Sequence, residues 1–261
     1  MELHQHQADF EASGIVAFVI LPEPVETLAR FSKEYGVDFP VLSDQGSKVI
    51  REFGILNTLI LPDEEIYGIP YPGSYLVGED GRVVAKYFHR EYRVRETAGT
   101  VLHSGFGLPI DLSRFPHADL HAAGVQISAA LGAEELKFMQ AADLYVRLRL
   151  AEGLHIYGPS TPEGYYPTKV TVVGPEGLRA GEATYPPARP FRIEGLHEEF
   201  HVLDGDVEVV VPLVWELREG ESLPVDIEVQ YQACSDRECF LPMTERLLLE
   251  VPLGRLNSQR R

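Results

Sequence analysis

The stretch that most constrains this chain is Tyr231-Gln-Ala-Cys-Ser-Asp-Arg-Glu-Cys-Phe-Leu-Pro242, which holds both of its cysteines, Cys234 and Cys239. The residues leading into it, Val225-Asp-Ile-Glu-Val-Gln-Tyr, alternate apolar and polar, so Val225, Ile227, Val229 and Tyr231 share one face of a strand. Ser235-Asp-Arg-Glu is a polar run suited to a hairpin loop, after which the chain leaves toward Leu247-Leu-Leu-Glu-Val. Cysteines flanking a loop of that length can face each other on antiparallel strands. Cα atoms there lie about 4.5–5.5 Å apart, near the low end of what a disulfide needs. A redox couple, a structural disulfide and two buried thiols are all compatible with this pattern.

The remainder of the second half supports an all-β setting. Asp143-Leu-Tyr-Val-Arg-Leu-Arg-Leu, Thr168-Lys-Val-Thr-Val-Val and Val207-Glu-Val-Val-Val-Pro-Leu are short, mostly alternating runs separated by turns rich in Gly and Pro. They predict an antiparallel β-sandwich over residues 125–253, with a tail at 254–261. Only residues 133–142 carry a helical pattern. Residues 109–124, rich in Gly, Pro, Asp and His, are expected to be a linker.

Residues 1–108 follow a different pattern. A helix stopped by Gly14 precedes the continuous apolar run Ile15-Val-Ala-Phe-Val-Ile, which reads as a buried parallel strand. Residues 24–35 form an amphipathic helix with Val25, Leu28, Phe31 and Tyr35 on one side and Gly36 after it. A short strand at 39–44, a short helix at 47–53 closed by Gly54, a hairpin around Glu79-Asp-Gly81 and a last helix at 96–104 follow. The order β-α-β-α-β-β-α predicts an α/β unit of thioredoxin type.

The charge narrows the range of partners. The formal net charge is −17, with 9 basic and 16 acidic residues up to Ile110 and 14 and 24 beyond it. Acidity spread over both halves argues against nucleic acid or an anionic membrane as a partner. No apolar run approaches the roughly 20 residues of a membrane helix, and no export signal is visible, so a cytoplasmic protein is expected. Two cysteines in 261 residues do not make a disulfide scaffold, and their value is expected to be chemical.

Two resemblances sharpen these expectations. Phe39-Pro-Val-Leu-Ser-Asp, Val49-Ile-Arg-Glu-Phe-Gly-Ile and Pro72-Gly-Ser-Tyr-Leu-Val-Gly-Glu-Asp-Gly resemble the peroxiredoxin-like redoxins of the alkyl hydroperoxide reductase/thiol-specific antioxidant (AhpC/TSA) family. The resemblance implies a thioredoxin fold over residues 1–108 and places Pro72 at the family's cis-proline position. It also implies a reactive cysteine at the start of the helix after the first strand. The sequence reads as beginning inside that helix, so both that strand and that cysteine are expected to be absent from it, and no cysteine precedes Cys234.

Gly153-Leu-His-Ile-Tyr157, Phe200 with Glu198 and Glu199, and above all the cysteine stretch resemble the amino-terminal, immunoglobulin-like domain of the thiol:disulfide interchange protein DsbD and its disulfide-corrector relatives. That resemblance implies that Cys234 and Cys239 are the redox couple, that Cys239 is the attacking sulfur, and that Phe200 is a cap over the pair. His155 and Tyr157 would line the site, with His155 standing where a phenol is common. Glu198 and Glu199 would raise a nearby thiol pKa by like-charge repulsion. The implied partner is a thioredoxin-fold redox protein, and no cofactor or metal is implied. The DsbD resemblance is to a periplasmic domain, which sets it against the cytoplasmic expectation.

Other patterns point elsewhere. His197-Glu-Glu-Phe-His201 fits the H-E-x-x-H pattern of zinc proteases, but Gly195 before it and Asp204-Gly205 after it leave no room for the helix that chemistry needs. His4 with His6, and His117 with His121, are expected to be solvated side chains. The leading expectation is a thiol–disulfide redox protein of oxidoreductase or antioxidant type working through Cys234 and Cys239. The alternatives are a non-catalytic interaction module with a degenerate redoxin domain, and a peroxidase whose reactive cysteine lies upstream of Met1.

Overall fold

The structure is a computed structural model that describes residue 4 and residues 6–122, 124–162, 164–192 and 199–254. The chain divides into two compact units, Met1–Gly107 and Leu108–Arg261.

The first unit is an α/β unit of thioredoxin type. Helix α1 (Gln7–Ala12) precedes strand β1 (Val19–Leu21), helix α2 (Val25–Tyr35), strand β2 (Val41–Ser43), helix α3 (Lys48–Glu52), and strands β3 (Ser74–Val77) and β4 (Val83–Tyr87). β1 and β2 pair in parallel through the α2 crossover, and β3 and β4 form the antiparallel hairpin expected around Gly81. Helix α2 stops where Gly36 adopts φ +64°, a left-handed conformation that costs glycine little. The Asp44 carboxylate accepts the backbone N–H groups of Val49 and Ile50 at the start of α3. These bonds hold its pKa below the usual range even against the desolvation of a largely buried group.

Four details depart from the sequence reading. The strand expected over residues 15–20 is confined to Val19–Leu21. On α2 only Leu28 is buried, while Val25, Phe31 and Tyr35 are exposed, because the two-stranded ribbon of β1 and β2 is too narrow to cover the whole apolar stripe. No peptide bond among the described residues is cis, so Pro72 lacks the geometry implied for it and stands as a trans proline. The helix expected at 96–104 ends in a π-helical turn over Thr100–Gly105.

The second unit is an immunoglobulin-like β-sandwich. Its strands are β5 (His117–Ala122), β6 (Val125–Leu131), β7 (Leu136–Lys137), β8 (Gln140–Leu150), β9 (His155–Tyr157), β10 (Lys169–Val173), β11 (Leu178–Ala180), β12 (Arg189–Arg192), β13 (Glu199–Asp204), β14 (Asp206–Trp215), β15 (Ser222–Tyr231), β16 (Ala233–Cys234) and β17 (Met243–Gly254). One sheet runs β11-β14-β8-β6-β5, another β10-β15-β17-β7, and a smaller one β12-β13-β9-β16. The predicted alternation holds on β15, where Val225, Ile227, Val229 and Tyr231 are all buried. They meet Leu144, Val146, Leu148, Val209 and Val211 from the facing sheet in one continuous core. At about 25 cal/mol per Å² of apolar surface removed from water, this core dominates the stability of the unit.

Two expectations about this half are corrected. Residues 133–142 are not helical: they form β7, a turn with Met139 at φ +56°, and the first residues of β8. Their backbone groups are claimed from both sides, since β7 pairs in parallel with β17 and the Met139 N–H donates to the Trp215 carbonyl at 2.7 Å. Tertiary pairing thus overrides a local helical pattern. The expected linker is also structured. Leu112–Arg114 forms a 3₁₀ turn, and His117–Ala122 is the edge strand β5. Leu112, Ile110 and Phe115 cover the outer face of β8 at the fully buried Tyr145.

Candidate functional site

The Ser235–Glu238 loop is a tight turn built around one hydroxyl. Ser235 Oγ accepts the backbone N–H groups of Arg237 at 3.2 Å and Glu238 at 3.1 Å, and the Ser235 N–H donates to the Glu238 carbonyl at 2.8 Å. Phe240 N–H donates to Ala233 O at 2.9 Å, closing the hairpin. These bonds set Cys234 opposite Cys239, and the two form a disulfide with Cα atoms 4.0 Å apart.

Strand β9 carries the rest of the site. It lies between β13 and β16, pairing His155 with both Asp204 and Cys234, and Tyr157 with Val202. β12 extends the sheet by pairing Arg189 with Val202 and Phe191 with Phe200. Residues in register across a sheet, and residues two apart on one strand, project from the same face. Arg189, Phe191, Phe200, Val202, Asp204, His155, Tyr157 and Cys234 therefore share one face. Gly158, just past Tyr157, permits a close approach, since a Cβ there would lie 3.0 Å from the His201 carbonyl oxygen.

The apolar part of that face packs around the inner sulfur. Tyr157, Phe200, Val202 and Cys234 form a buried cluster joined by Tyr165 and Phe191. Ring centroids lie 5.7 Å apart for Tyr157–Phe200 and 4.7 Å apart for Tyr165–Phe200. The two sulfurs are thereby made unequal. Cys234 is 1% exposed, whereas Cys239 sits on the exposed arm of the hairpin beside Phe240 and Leu241, themselves 41% and 82% exposed. The Tyr157 hydroxyl lies 3.7 Å from Cys239 Sγ, spanning from the buried cluster to the outer sulfur. Burial pushes the Tyr157 phenol pKa up, so it stays protonated and can donate.

His155 is buried and stacks on Phe191 with centroids 4.4 Å apart. Burial, reinforced by the Arg189 guanidinium, lowers its pKa against the opposing pull of Asp236 and Asp204. Arg189 Nε in turn donates to Asp204 Oδ2 at 2.5 Å. With burial the leading cause, the neutral imidazole is the favoured form.

The structure thus brings Cys234, Cys239, His155, Tyr157 and Phe200 together. Phe200 is fully buried and packs against the inner sulfur's cluster. Glu199 begins β13, whereas Glu198 and His197 lie outside the described residues. Pro72 belongs to the other unit. His201 is on strand β13, so the H-E-x-x-H spacing does not fall on a helix there. The sequence reading missed Tyr165, Phe191, Arg189 and Asp204. The Tyr165-Tyr166 pair and the alternation Arg189-Pro-Phe-Arg were the available signals.

An exposed and a buried sulfur are thus joined across a hairpin on an immunoglobulin-like sandwich. Residues 129–251 match the family described as thiol:disulfide interchange protein DsbD, N-terminal. Residues 1–86 match the AhpC/TSA family. The chain is thus similar to a redoxin in its first part and to a DsbD N-terminal domain in its second.

Among curated proteins, the Mycobacterium tuberculosis (strain H37Rv) protein named "Putative peroxiredoxin Rv2521" is 28% identical over 100 residues, covering 37% of this chain and 58% of that protein. The chain thus spans little more than half the length of that relative. Among solved structures, the N-terminal periplasmic domain of ScsB from Proteus mirabilis is 13% identical with a TM-score of 0.38, covering 53% of this chain and 51% of that one. The complex between the DsbD and PilB N-terminal domains from Neisseria meningitidis contains a chain 16% identical with a TM-score of 0.31, covering 41% of this chain and 73% of its own. Among the described residues, no helix of the DsbD-type or redoxin region is long and apolar enough to cross a membrane.

Proposed function

We propose that this protein is a thiol–disulfide oxidoreductase whose working couple is Cys234 and Cys239, exchanging electrons with a thioredoxin-fold partner. The observation that carries the reading is the inequality of the two sulfurs: Cys234 is sealed in an aromatic cluster while Cys239 is exposed on the same hairpin. Thiol–disulfide exchange needs one sulfur a partner can reach and a second within bonding distance to resolve the mixed disulfide.

In the reduced protein, the Cys239 thiolate attacks one sulfur of the partner's disulfide, and the partner's other cysteine leaves as a thiolate. Cys234 then attacks Cys239 Sγ, the intramolecular disulfide forms, and the partner departs with both cysteines reduced. Two electrons pass to the partner; the reverse sequence reduces the pair. Phe200, Tyr157 and Tyr165 shield the inner sulfur, and the exposed Phe240 and Leu241 offer the partner an apolar rim beside Cys239. No cysteine occurs in residues 1–107, so that stretch is assigned a docking role.

In a reducing cytoplasm the couple rests as thiols and its oxidation is the event; in a periplasm, where the ScsB domain resides, the disulfide is the resting form. The test is mass spectrometry after thiol alkylation across redox buffers, combined with trapping. A Cys234→Ser variant should hold a thioredoxin-fold partner as a mixed disulfide through Cys239, and a Cys239→Ser variant should not. A couple that stays reduced across physiological potentials would defeat the reading.

A further inference from the structure

Resting on the assignment of Cys234 and Cys239 as the working couple, we propose that His155 is the group that takes the proton from the Cys234 thiol when the couple closes, and returns it when the couple opens. The argument is one of placement. Asp204, His155 and Cys234 stand in a single register row across β13, β9 and β16. His155 is the direct cross-strand partner of Cys234. Such partners have Cβ atoms about 4.5–5.5 Å apart on the same face.

Both members of this pair are cut off from water. His155 is 4% exposed and Cys234 is 1% exposed. A thiol in that position cannot hand its proton to bulk water directly, and a buried bare thiolate is costly. The step therefore needs a local acceptor, and the buried side chain opposite the sulfur is an imidazole.

The charged and titratable groups facing this imidazole are Asp204 on β13, Arg189 on β12, Asp236 in the hairpin turn and the Tyr157 phenol two residues along β9. Arg189 is engaged with Asp204, at 2.5 Å, which leaves the ring flanked by a paired charge instead of a bare carboxylate. Burial with Arg189 nearby keeps the imidazole neutral in the resting state, the form a proton acceptor must have. Phe191 stacks on the ring and holds its plane.

The closing step then balances. The Cys234 S–H proton passes to a ring nitrogen of His155, and the Cys234 thiolate attacks Cys239 Sγ of the mixed disulfide. The Cys234–Cys239 bond forms, the bond from Cys239 to the partner sulfur breaks, and the partner's cysteine leaves as a thiolate carrying the electron pair. In the opening direction His155 first takes a proton from solvent; attack on Cys239 then expels Cys234 as a thiolate, and the imidazolium returns that proton to it.

The experiment uses the full chain, reduced and freed of reductant, mixed rapidly with one equivalent of 5,5′-dithiobis(2-nitrobenzoate). Attack by Cys239 releases one thionitrobenzoate. Attack by Cys234 on the resulting mixed disulfide releases the second. Absence of a second release in the wild type would overturn the redox couple itself. With two releases present, the His155 assignment is read from the second phase alone.

His155→Phe, which keeps an aromatic against Phe191, should slow that phase by about 10²-fold at pH 7, the low end of what a positioned acid–base group supplies. The wild-type rate should level off above the imidazole's pKa. The variant's should keep rising past the ordinary thiol pKa, about 8.5, because burial raises that of Cys234. An unchanged second phase with an unchanged pH profile would overturn the assignment. If His155→Phe fails to fold, the imidazole of the wild type is titrated by NMR in the disulfide and dithiol forms. A pKa that moves between the two forms supports the assignment, and one that does not overturns it.

Discussion

The Tyr157 hydroxyl stands 3.7 Å from the Sγ of Cys239, although the ring to which it belongs is buried beside Cys234. One side chain therefore touches both ends of the couple. Its ring packs the inner sulfur out of water, and its hydroxyl is placed to donate to the outer one. If it keeps this place after reduction, the hydroxyl would stabilise the thiolate of Cys239, because a hydrogen bond to a charged acceptor outweighs one to a neutral acceptor.

Removing that hydroxyl should therefore raise the Cys239 thiol pKa. In Tyr157→Phe the midpoint of the pH dependence of Cys239 alkylation is expected to move up by about one unit, equivalent to about 1.4 kcal/mol. An unmoved midpoint would show that the hydroxyl does not bond the thiolate.

The unequal burial of the sulfurs makes a second prediction. In the fully reduced protein, iodoacetamide should modify Cys239 roughly tenfold or more faster than Cys234, because access as well as thiolate content sets the rate. Peptide mapping after timed alkylation reads the ratio, and equal rates would contradict the buried placement of Cys234.

Phe200 is 0% exposed and packs on Tyr157, Tyr165 and Cys234. Phe200→Ala should cost about 3–5 kcal/mol of stability, the usual range for emptying a buried aromatic site. Urea denaturation of the oxidised protein measures this. A loss below about 1 kcal/mol would mark Phe200 as a movable lid with little part in the packing, since exposed positions cost that little.

Two buried phenols, Tyr231 and Tyr157, and the half-buried Tyr185 bear on the alkaline limit. Burial, aided by Glu245, pushes Tyr231 up to about 12, and burial raises Tyr157 and Tyr185 as well. A raised folded-state pKa means the folded protein holds the proton more tightly than the unfolded chain. The associated stability is complete below the unfolded phenol's pKa, about 10, and is lost as pH climbs toward the folded value. Unfolding free energies should fall between about pH 10 and 12, and Tyr231→Phe should flatten part of that fall.

His155 acts on the opposite side. Its pKa is lowered by burial first and Arg189 second, so below the unfolded imidazole's pKa, about 6.5, the unfolded chain binds a proton that the folded protein does not. Stability should decline as pH drops below about 6.5 toward the folded value. Urea titrations at pH 7 and pH 5 should show a smaller difference for His155→Phe than for wild type.

Much of this architecture was legible along the chain. The alternation Val225, Ile227, Val229, Tyr231 placed those residues in the core, and the Gly36 stop ended α2 where glycine was expected. The polar Ser235–Glu238 run formed the turn, with Ser235 Oγ as its clamp. Residues 117–122 were hidden by composition: Gly, Pro and His obscured the alternation of Ala118 and Leu120, which pack inward from β5. Residues 133–142 misled for the opposite reason, since their local pattern is helical but β17 and Trp215 claim their backbone.

The sequence by itself determined that two cysteines would flank a tight turn at the end of an alternating strand, because that depends only on period, turn chemistry and spacing. Which sulfur is sealed and which is reachable was decided by the tertiary structure alone. It depends on β9 slotting between β13 and β16, so that residues near positions 155, 200 and 234 meet on one face of a sheet. Such long-range register is set by the competition of whole strands for partners and for core area. No local pattern around Cys234 or Cys239 contains that information.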